Sequence, residues 1–295
     1  MRKIVKRVLL MACCLGLFLC TYNGKDVLAA TAENSCGKSA TWTYNASKKT
    51  LTISGKGMIY RPEDWDELEI NKIVVGKGIT EIGSYTFYNQ NNVTEINLPE
   101  TVTIIGDFAF ANCYKLKKIN IPKSLTSIGN SVFSDCKKLK SVSLPDTVTQ
   151  MGDSIFSGCK VLESVKLPKN IKEIPSWTFR GCKNLTKFKI SSNIEKIGYE
   201  AFRMCSSLTS ITIPDGVTSI GNNAFSSCDN LKSAIFLGDA LGNVGNGIFS
   251  NCADDFTIKV KRDTKGWSGD YTSTALPATW HDYPIASSHL IFFII

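Results

Sequence analysis

The sequence predicts an α/β solenoid, a coil of 23-residue units that each carry a strand, a corner and a short helix. Three observations carry that prediction. Phe87, Phe110, Phe133, Phe156, Phe179, Phe202 and Phe225 follow one another at steps of 23 residues, and Phe249 comes after 24. Ile82, Ile105, Ile128, Met151, Ile174, Ile197, Ile220 and Val244 precede them by five residues, each followed by Gly except Ile174, which is followed by Pro175. Val93 and then Leu116, Leu139, Leu162, Leu185, Leu208 and Leu231 lie six residues after the first seven rings. A repeat of this length marks supersecondary units that bury an apolar face only by stacking on one another.

Residues 1–30 stand outside the repeat and read as a signal peptide. Arg2, Lys3, Lys6 and Arg7 precede the apolar run VLLMACCLGLFLC, and small residues follow at Ala29, Ala30 and Ala32. That order is the export pattern, and the run is shorter than the roughly 20 residues of a membrane span, so no stable anchor is expected after cleavage. LMAC, ending at Cys13, resembles a lipoprotein cleavage site only loosely, because the apolar run continues past it. Removing residues 1–30 takes +4 from the formal +8 of the 295-residue chain. The remaining lysines alternate with acids, so no nucleic-acid partner is expected.

Residues 33–69 form the expected N-terminal β cap. TWTYNASKKTLTISG reads as two alternating strands around a polar turn, with Trp42, Tyr44, Leu51 and Ile53 free to cover the first coil. Residues 70–260 are the solenoid. In the unit from Leu116, LKKINIP places Ile119 and Ile121 on one side and Lys118 and Asn120 on the other, and stops at Pro122. SLTSIG turns a corner at Gly129. NSVFSDCKKL spaces Val132, Phe133, Cys136 and Leu139 as one apolar face of a short helix. Strands near residues 70, 93, 116, 139, 162, 185, 208, 231 and 256 give nine rungs, a rod about 40 Å long at about 4.8 Å per rung. Residues 261–295 break the period and are rich in aromatics, with Trp267, Tyr271, Trp280, Tyr283 and the closing LIFFII. They are expected to form an irregular C-terminal cap, since an open end would expose sheet edge and core. LPATW, from Leu276, lacks the glycine of a sortase signal and reads as part of that cap.

CYKLKKINIPKSLTSIGNSVFSDC, from Cys113 to Cys136, resembles the BspA-type leucine-rich repeats of bacterial and some protozoan surface proteins. CGKSATWTYNASKKTLTISGKGMIY, from Cys36, resembles the module that precedes them. The resemblance covers residues 36 to 260. It implies a right-handed leucine-rich-repeat coil and a secreted or cell-surface protein that adheres to a partner, and it brings no catalytic residues.

Chemistry is otherwise sparse. His281 and His289 are the two histidines, and no C-x2-4-C or H-x3-5-H pair follows the signal peptide, so neither a metal nor a cofactor is expected. The chain contains no G-x-S-x-G elbow, P-loop or dinucleotide fingerprint, and no enzyme is expected; a constellation around His281, Asp282 and His289 would be the place to seek one. Asp254 and Asp255, and the acids around Trp65, read as solvated loop charge. Cys113, Cys136, Cys159, Cys182, Cys205 and Cys228 keep the 23-residue step and Cys252 follows by 24. Stacked positions would satisfy disulfide geometry, but the column is odd in number and three residues from each Phe, where a small buried hydrophobe fits. Cys36 lies outside it.

If Ile119 and Ile121 face inward, the outward row includes Lys118, Asn120, Ser164, Lys166, Lys187 and Lys189. This polar, mildly basic face is either a solvated sheet surface or the binding face for an acidic protein or glycan, with Lys118, Lys166, Lys187 and Lys189 as candidate contacts. Tyr85, Phe108 and Trp177, each two residues before a repeat Phe, either pack between coils or form a second patch. The unit from Ile174 to Ser192 departs most from the pattern. The expected function is an exported, non-catalytic module that binds a protein or glycan at a cell surface or in extracellular matrix; the alternative is an envelope spacer without a soluble ligand.

Overall fold

The computed structural model describes residues 34–261 and 264–267, together with the backbone of 279–280 and 283–284. Residues 1–33, which include the expected export signal, and His281, His289 and the closing apolar run lie outside the described residues.

Strands β1 (Ser35–Gly37), β2 (Ser39–Asn45) and β3 (Thr50–Ile59) open the fold. β2 and β3 pair antiparallel with Trp42 opposite Ile53 and Tyr44 opposite Leu51. β3 also pairs parallel with β4 (Lys72–Val75) and β5 (Ile79–Ile82), so the second arm of the hairpin is the first rung of both sheets that follow. From there the chain is a parallel β-solenoid of about nine turns. One sheet column runs through Glu95–Asn97, Lys118–Ile119, Ser141–Ser143, Ser164–Lys166, Ser210–Ile213, Ser233–Phe236 and Thr257–Val260. The other runs through the corners, at Ile104–Ile105, Ser127–Ile128, Gln150–Met151, Glu173–Ile174, Lys196–Ile197, Ser219–Ile220 and Asn243–Val244.

The expected helix is replaced by a third ladder. No α-helix occurs among the described residues. In the segment from Asn130, Ser131, Phe133 and Asp135 send their N–H groups to carbonyls of the next coil, on Asp153, Ile155 and Ser157, at 2.8, 2.9 and 2.7 Å. Ser134 and Cys136 instead bond back three residues, to Ser131 and Phe133. A helix would keep every donor within the segment; here every second one leaves it. The alternation needs left-handed backbone two residues before and two after each Phe, as at Ser131 (φ 54°) and Asp135 (φ 58°). Small, Asn, Asp or Gly residues meet that need most easily.

The rings form one stack along the axis. Successive phenylalanines from Phe87 to Phe249 stand 5.1–5.7 Å apart, nearly parallel. Trp65 begins the stack, 5.4 Å from Phe87, and is fully buried although acids surround it in the sequence. Those acids are exposed, and Asp66 pairs with Arg61. At the other end Trp267 is buried against Phe236 at 4.9 Å.

Corner glycines set how closely coils approach. A Cβ on Gly129 would lie 2.7 Å from the Asp107 nitrogen and 2.8 Å from the Gly106 carbonyl carbon. Pro175 occupies the equivalent site in its own coil. It carries a Cβ there, and it lacks the N–H that Gly152 donates to Ile128 and Gly198 donates to Ile174. The corner sheet accordingly divides in two, with no pairing between Gln150–Met151 and Glu173–Ile174.

Candidate functional site

The strand side is interrupted as well, and the interruptions fall among the candidate lysines. Lys118–Ile119 does not pair with Ser141–Ser143. On its opposite edge, towards the preceding coil, this rung is shortened by the Asn120 side chain, whose amide accepts from the Leu98 N–H at 2.8 Å and donates to the Leu98 carbonyl at 2.6 Å. In the regular case, two coils on, the Leu144 N–H bonds the Lys166 backbone carbonyl at 2.9 Å. A side chain thus replaces the rung's own backbone, the competition for which asparagine is known. An open cleft of about 840 Å³ lies at the unpaired edge, lined by residues that include Ile119, Asn120, Ile121, Ser141, Val142 and Lys166.

The next interruption follows Ser164–Lys166, where the coil containing Lys187 is tied to the sheet by a single bridge between Lys189 and Thr212. Phe188 takes the inward position that Ile96, Val142 and Ile211 hold in other rungs. Its ring lies 4.8 Å from Phe179 and 5.1 Å from Phe202.

Lys118, Lys166, Lys187 and Lys189 are all exposed, as the alternation requires. Lys166, Lys187 and Lys189 occupy adjacent coils. Lys118 does not join them: two coils, those of Ser141 and Ser164, lie between it and Lys187. Lys166 reaches Asp146 at 3.7 Å, and Asp146, which Lys169 also approaches, is held below the usual carboxylate range by hydrogen bonds from Lys169 and by the charges of both lysines, against a desolvation that pushes it upward. Lys118, Lys187 and Lys189 form no ion pair among the described residues.

The cysteine column is a column of thiols. All eight described cysteines are free; Cys36, in β1, is as fully buried as Cys113 to Cys228, and Cys252 is partly buried. Each column Sγ donates to the carbonyl of the Phe one coil earlier, from Cys113 to Phe87 at 3.3 Å through Cys252 to Phe225 at 3.4 Å. Burial pushes Cys36, Cys113 and Cys252 up to about 12 and raises the other five as well. A protonated, enclosed thiol is a poor nucleophile. Titrated without reductant, the protein lacking residues 1–30 should therefore release about eight thiols in denaturant and almost none when native at pH 8. A count near zero in denaturant would mean disulfides instead.

On the turn side, Tyr85 and Phe108 stack at 4.9 Å while Tyr85 remains half exposed, so packing between coils and surface exposure coexist there. Trp177 meets Tyr199 edge-on at 5.2 Å. Sequence reasoning missed the charged group beside them. Glu200 is 4% exposed, with Arg180 Nε 3.0 Å from one carboxylate oxygen and Arg203 donating to the other at 2.7 Å. The available signal was vertical: Arg180 and Arg203 follow Phe179 and Phe202, where adjacent coils carry Ser134, Ser157, Ser226 and Ser250. Among the described residues no three His, Cys, Asp or Glu side chains gather as a metal-binding group.

Comparison with known proteins agrees with the architecture. The family described as BspA type Leucine rich repeat region matches residues 64–186 and 136–255, in six copies. A leucine-rich repeat protein from Eubacterium ventriosum shares 24% identity, with 81% of this chain and 74% of that one covered at a TM-score of 0.54, and shows the fold. One from Bacteroides ovatus shares 26% over 77% and 71% at a TM-score of 0.43. A leucine rich cell surface protein from Faecalibacterium prausnitzii shares 25% over 79% and 76% at 0.46. No curated protein matches the chain. The repeat sequence, the stacked coils and the matched residues together place this chain in the BspA-type leucine-rich repeat family.

Proposed function

We propose that the chain is an exported interaction module of the cell surface or extracellular space, without catalysis, that engages a protein partner through its sheet side. On this reading residues 1–30 are the export signal, residues 33–69 and 261–295 cap the two ends, and the coil is right-handed. The observation that supports the sheet side is its interruption between Lys118–Ile119 and Ser141–Ser143. Backbone groups on both lips are released from the ladder, Ile119 and Ile121 are half-buried rather than covered, and Lys166 stands on the rim. An extended acidic segment would find amide partners in the cleft and positive charge at its edge.

The test is a binding screen of the purified protein against extracellular-matrix and envelope proteins, followed by Lys166→Glu, Lys187→Glu and Lys189→Glu together. Affinity for the protein found should fall at least tenfold at low salt, and by less at high salt, where screening shortens the reach of surface charge. Unchanged affinity would exclude this face. Tight envelope association with no soluble partner would favour the spacer reading.

A further inference from the structure

We infer that Trp177, Arg180 and Arg203 form a second binding site, on the turn side, for an anionic sugar unit bearing carboxylate or sulfate. The argument begins with the columns. Three and two residues before the ring and one after it, the coils of Phe133, Phe156, Phe225 and Phe249 carry only small polar residues or Gly, and those of Phe87 and Phe110 carry rings but no arginine, so packing between coils does not itself call for Arg180, Glu200 and Arg203. Arg180 and Arg203 stand where Ser157 and Ser226 stand in the flanking coils. Trp177 and Glu200 stand where Ser154 and Asn223 stand. Tyr199 interrupts a ladder in which side chains such as Asn130, Asp153 and Asn222 accept the next coil's N–H at 2.8–2.9 Å. All five departures fall in two adjacent coils, and the first of those coils carries Pro175.

Trp177 and Glu200, with φ of 55° and 51°, keep the left-handed backbone that Ser131, Ser154 and Asn223 adopt at the same position, so the departure is one of side chain and not of backbone.

The chemistry selects an anion. Two guanidinium groups offer ten N–H donors between them and share one buried carboxylate, which leaves a net positive charge. Arg180 and Arg203 remain 43% and 34% exposed, and neither pairs with any other carboxylate among the described residues. Glu200 holds both in place, so their outer edges are fixed for a second, bidentate acceptor. Beside them Trp177 and Tyr199 supply ring surface with polar tips, suited to the apolar face and hydroxyl rim of a sugar. Gly158 and Gly181, with φ of 74° and 73°, keep the adjoining floor free of side chains. A protein partner fits less well. From Phe87 to Phe225 the backbone donors two residues before, at and two residues after each ring are consumed by the turn ladder and are not free for a peptide backbone.

The experiment measures binding of the purified full chain to dextran sulfate, polygalacturonate, uncharged dextran and polyglutamate. Trp177→Ser is compared with a fourfold variant, Trp177→Ser, Arg180→Ser, Glu200→Ser and Arg203→Ser, which gives these coils the residues of their neighbours and so removes the buried charge. The expected result is binding to dextran sulfate or polygalacturonate but not dextran, weakened about tenfold by Trp177→Ser and abolished in the fourfold variant, whose melting temperature is kept. Which acidic polymer binds tells sulfate from carboxylate. The inference fails if neither acidic polysaccharide binds, or if Trp177→Ser binds as the parent does. It fails equally if polyglutamate binds as tightly as the polysaccharides, which would make the site a patch for acidic protein. Should the fourfold variant not fold, Trp177→Ser decides alone. Charge reversal at Lys166, Lys187 and Lys189 should leave this binding unchanged, so the two surfaces stand or fall separately.

Discussion

Raised above pH 9, the protein is expected to unfold abruptly near pH 10, and its thiols to ionise in the same transition. In the unfolded chain a thiol titrates near 9.0, whereas burial holds all eight described thiols above that value in the fold. The sign follows from proton number. Between the two pKa values the folded chain binds more protons than the unfolded one, so stability is complete below pH 9 and falls as pH rises. Each such thiol subtracts about 1.4 kcal/mol per pH unit. Eight together remove about 10 kcal/mol by one unit above 9, comparable to the whole stability of a domain. Thiolate absorbance and circular dichroism, followed together, should change at one midpoint. Replacing Cys136, Cys159 and Cys182 by Ala should move that midpoint upward despite lost packing. A fold that persists beyond pH 11, or thiols that ionise before it opens, would contradict this account.

The second large effect lies in the ring stack. Phe156 stands 5.7 Å from both Phe133 and Phe179 and is fully buried. Phe156→Ala should lower stability by about 3–5 kcal/mol, as for large-to-small changes in well-packed cores, because neighbouring coils held at ladder distance cannot collapse into the gap. In a solenoid each coil is stabilised by its neighbours, so urea unfolding should also lose its single transition as the two flanks uncouple. A loss below about 1 kcal/mol would mean that the stack relaxes, contrary to the rigid spacing set by the corner glycines.

How much of this was legible in the sequence depends on the direction of reading. Along the chain, the step of 23 residues gave the rungs, the corners and the inward faces of Phe and Cys. The helix was misread because Val132, Phe133, Cys136 and Leu139 satisfy helical spacing equally well. The distinguishing signal was the recurrence of residues such as Ser131, Asp135, Gly158 and Asn251 at positions that require left-handed backbone. The acids around Trp65 were read as solvated charge and are exposed, but Trp65 itself, out of phase with the repeat, is revealed as the first ring only by the fold. The lysines were read as exposed and are exposed, but the break after Lys118–Ile119 was not foreseeable, since the alternation of LKKINIP and LKSVSLP is the same on both sides of it. Pro175 was noticed, while the Arg180, Glu200 and Arg203 group was not. Glu200 and Arg203 are three residues apart, but Arg180 lies 20 and 23 residues from them and joins the group only through stacking.

The sheet interruptions also bear on how the rod responds to load. Three ladders join most adjacent coils, two through the sheets and one through the turns. Between the coils of Ile119 and Val142 the strand sheet is missing, between those of Met151 and Ile174 the corner sheet, and between those of Val165 and Phe188 the strand sheet again. The turn ladder is continuous through all three junctions. Stiffness is therefore lost on alternating sides in the middle of the molecule and retained at both ends. Under tension or shear the two halves flex about the turn ladder as pages do about a spine, and a partner seated in the open cleft would feel that bending directly.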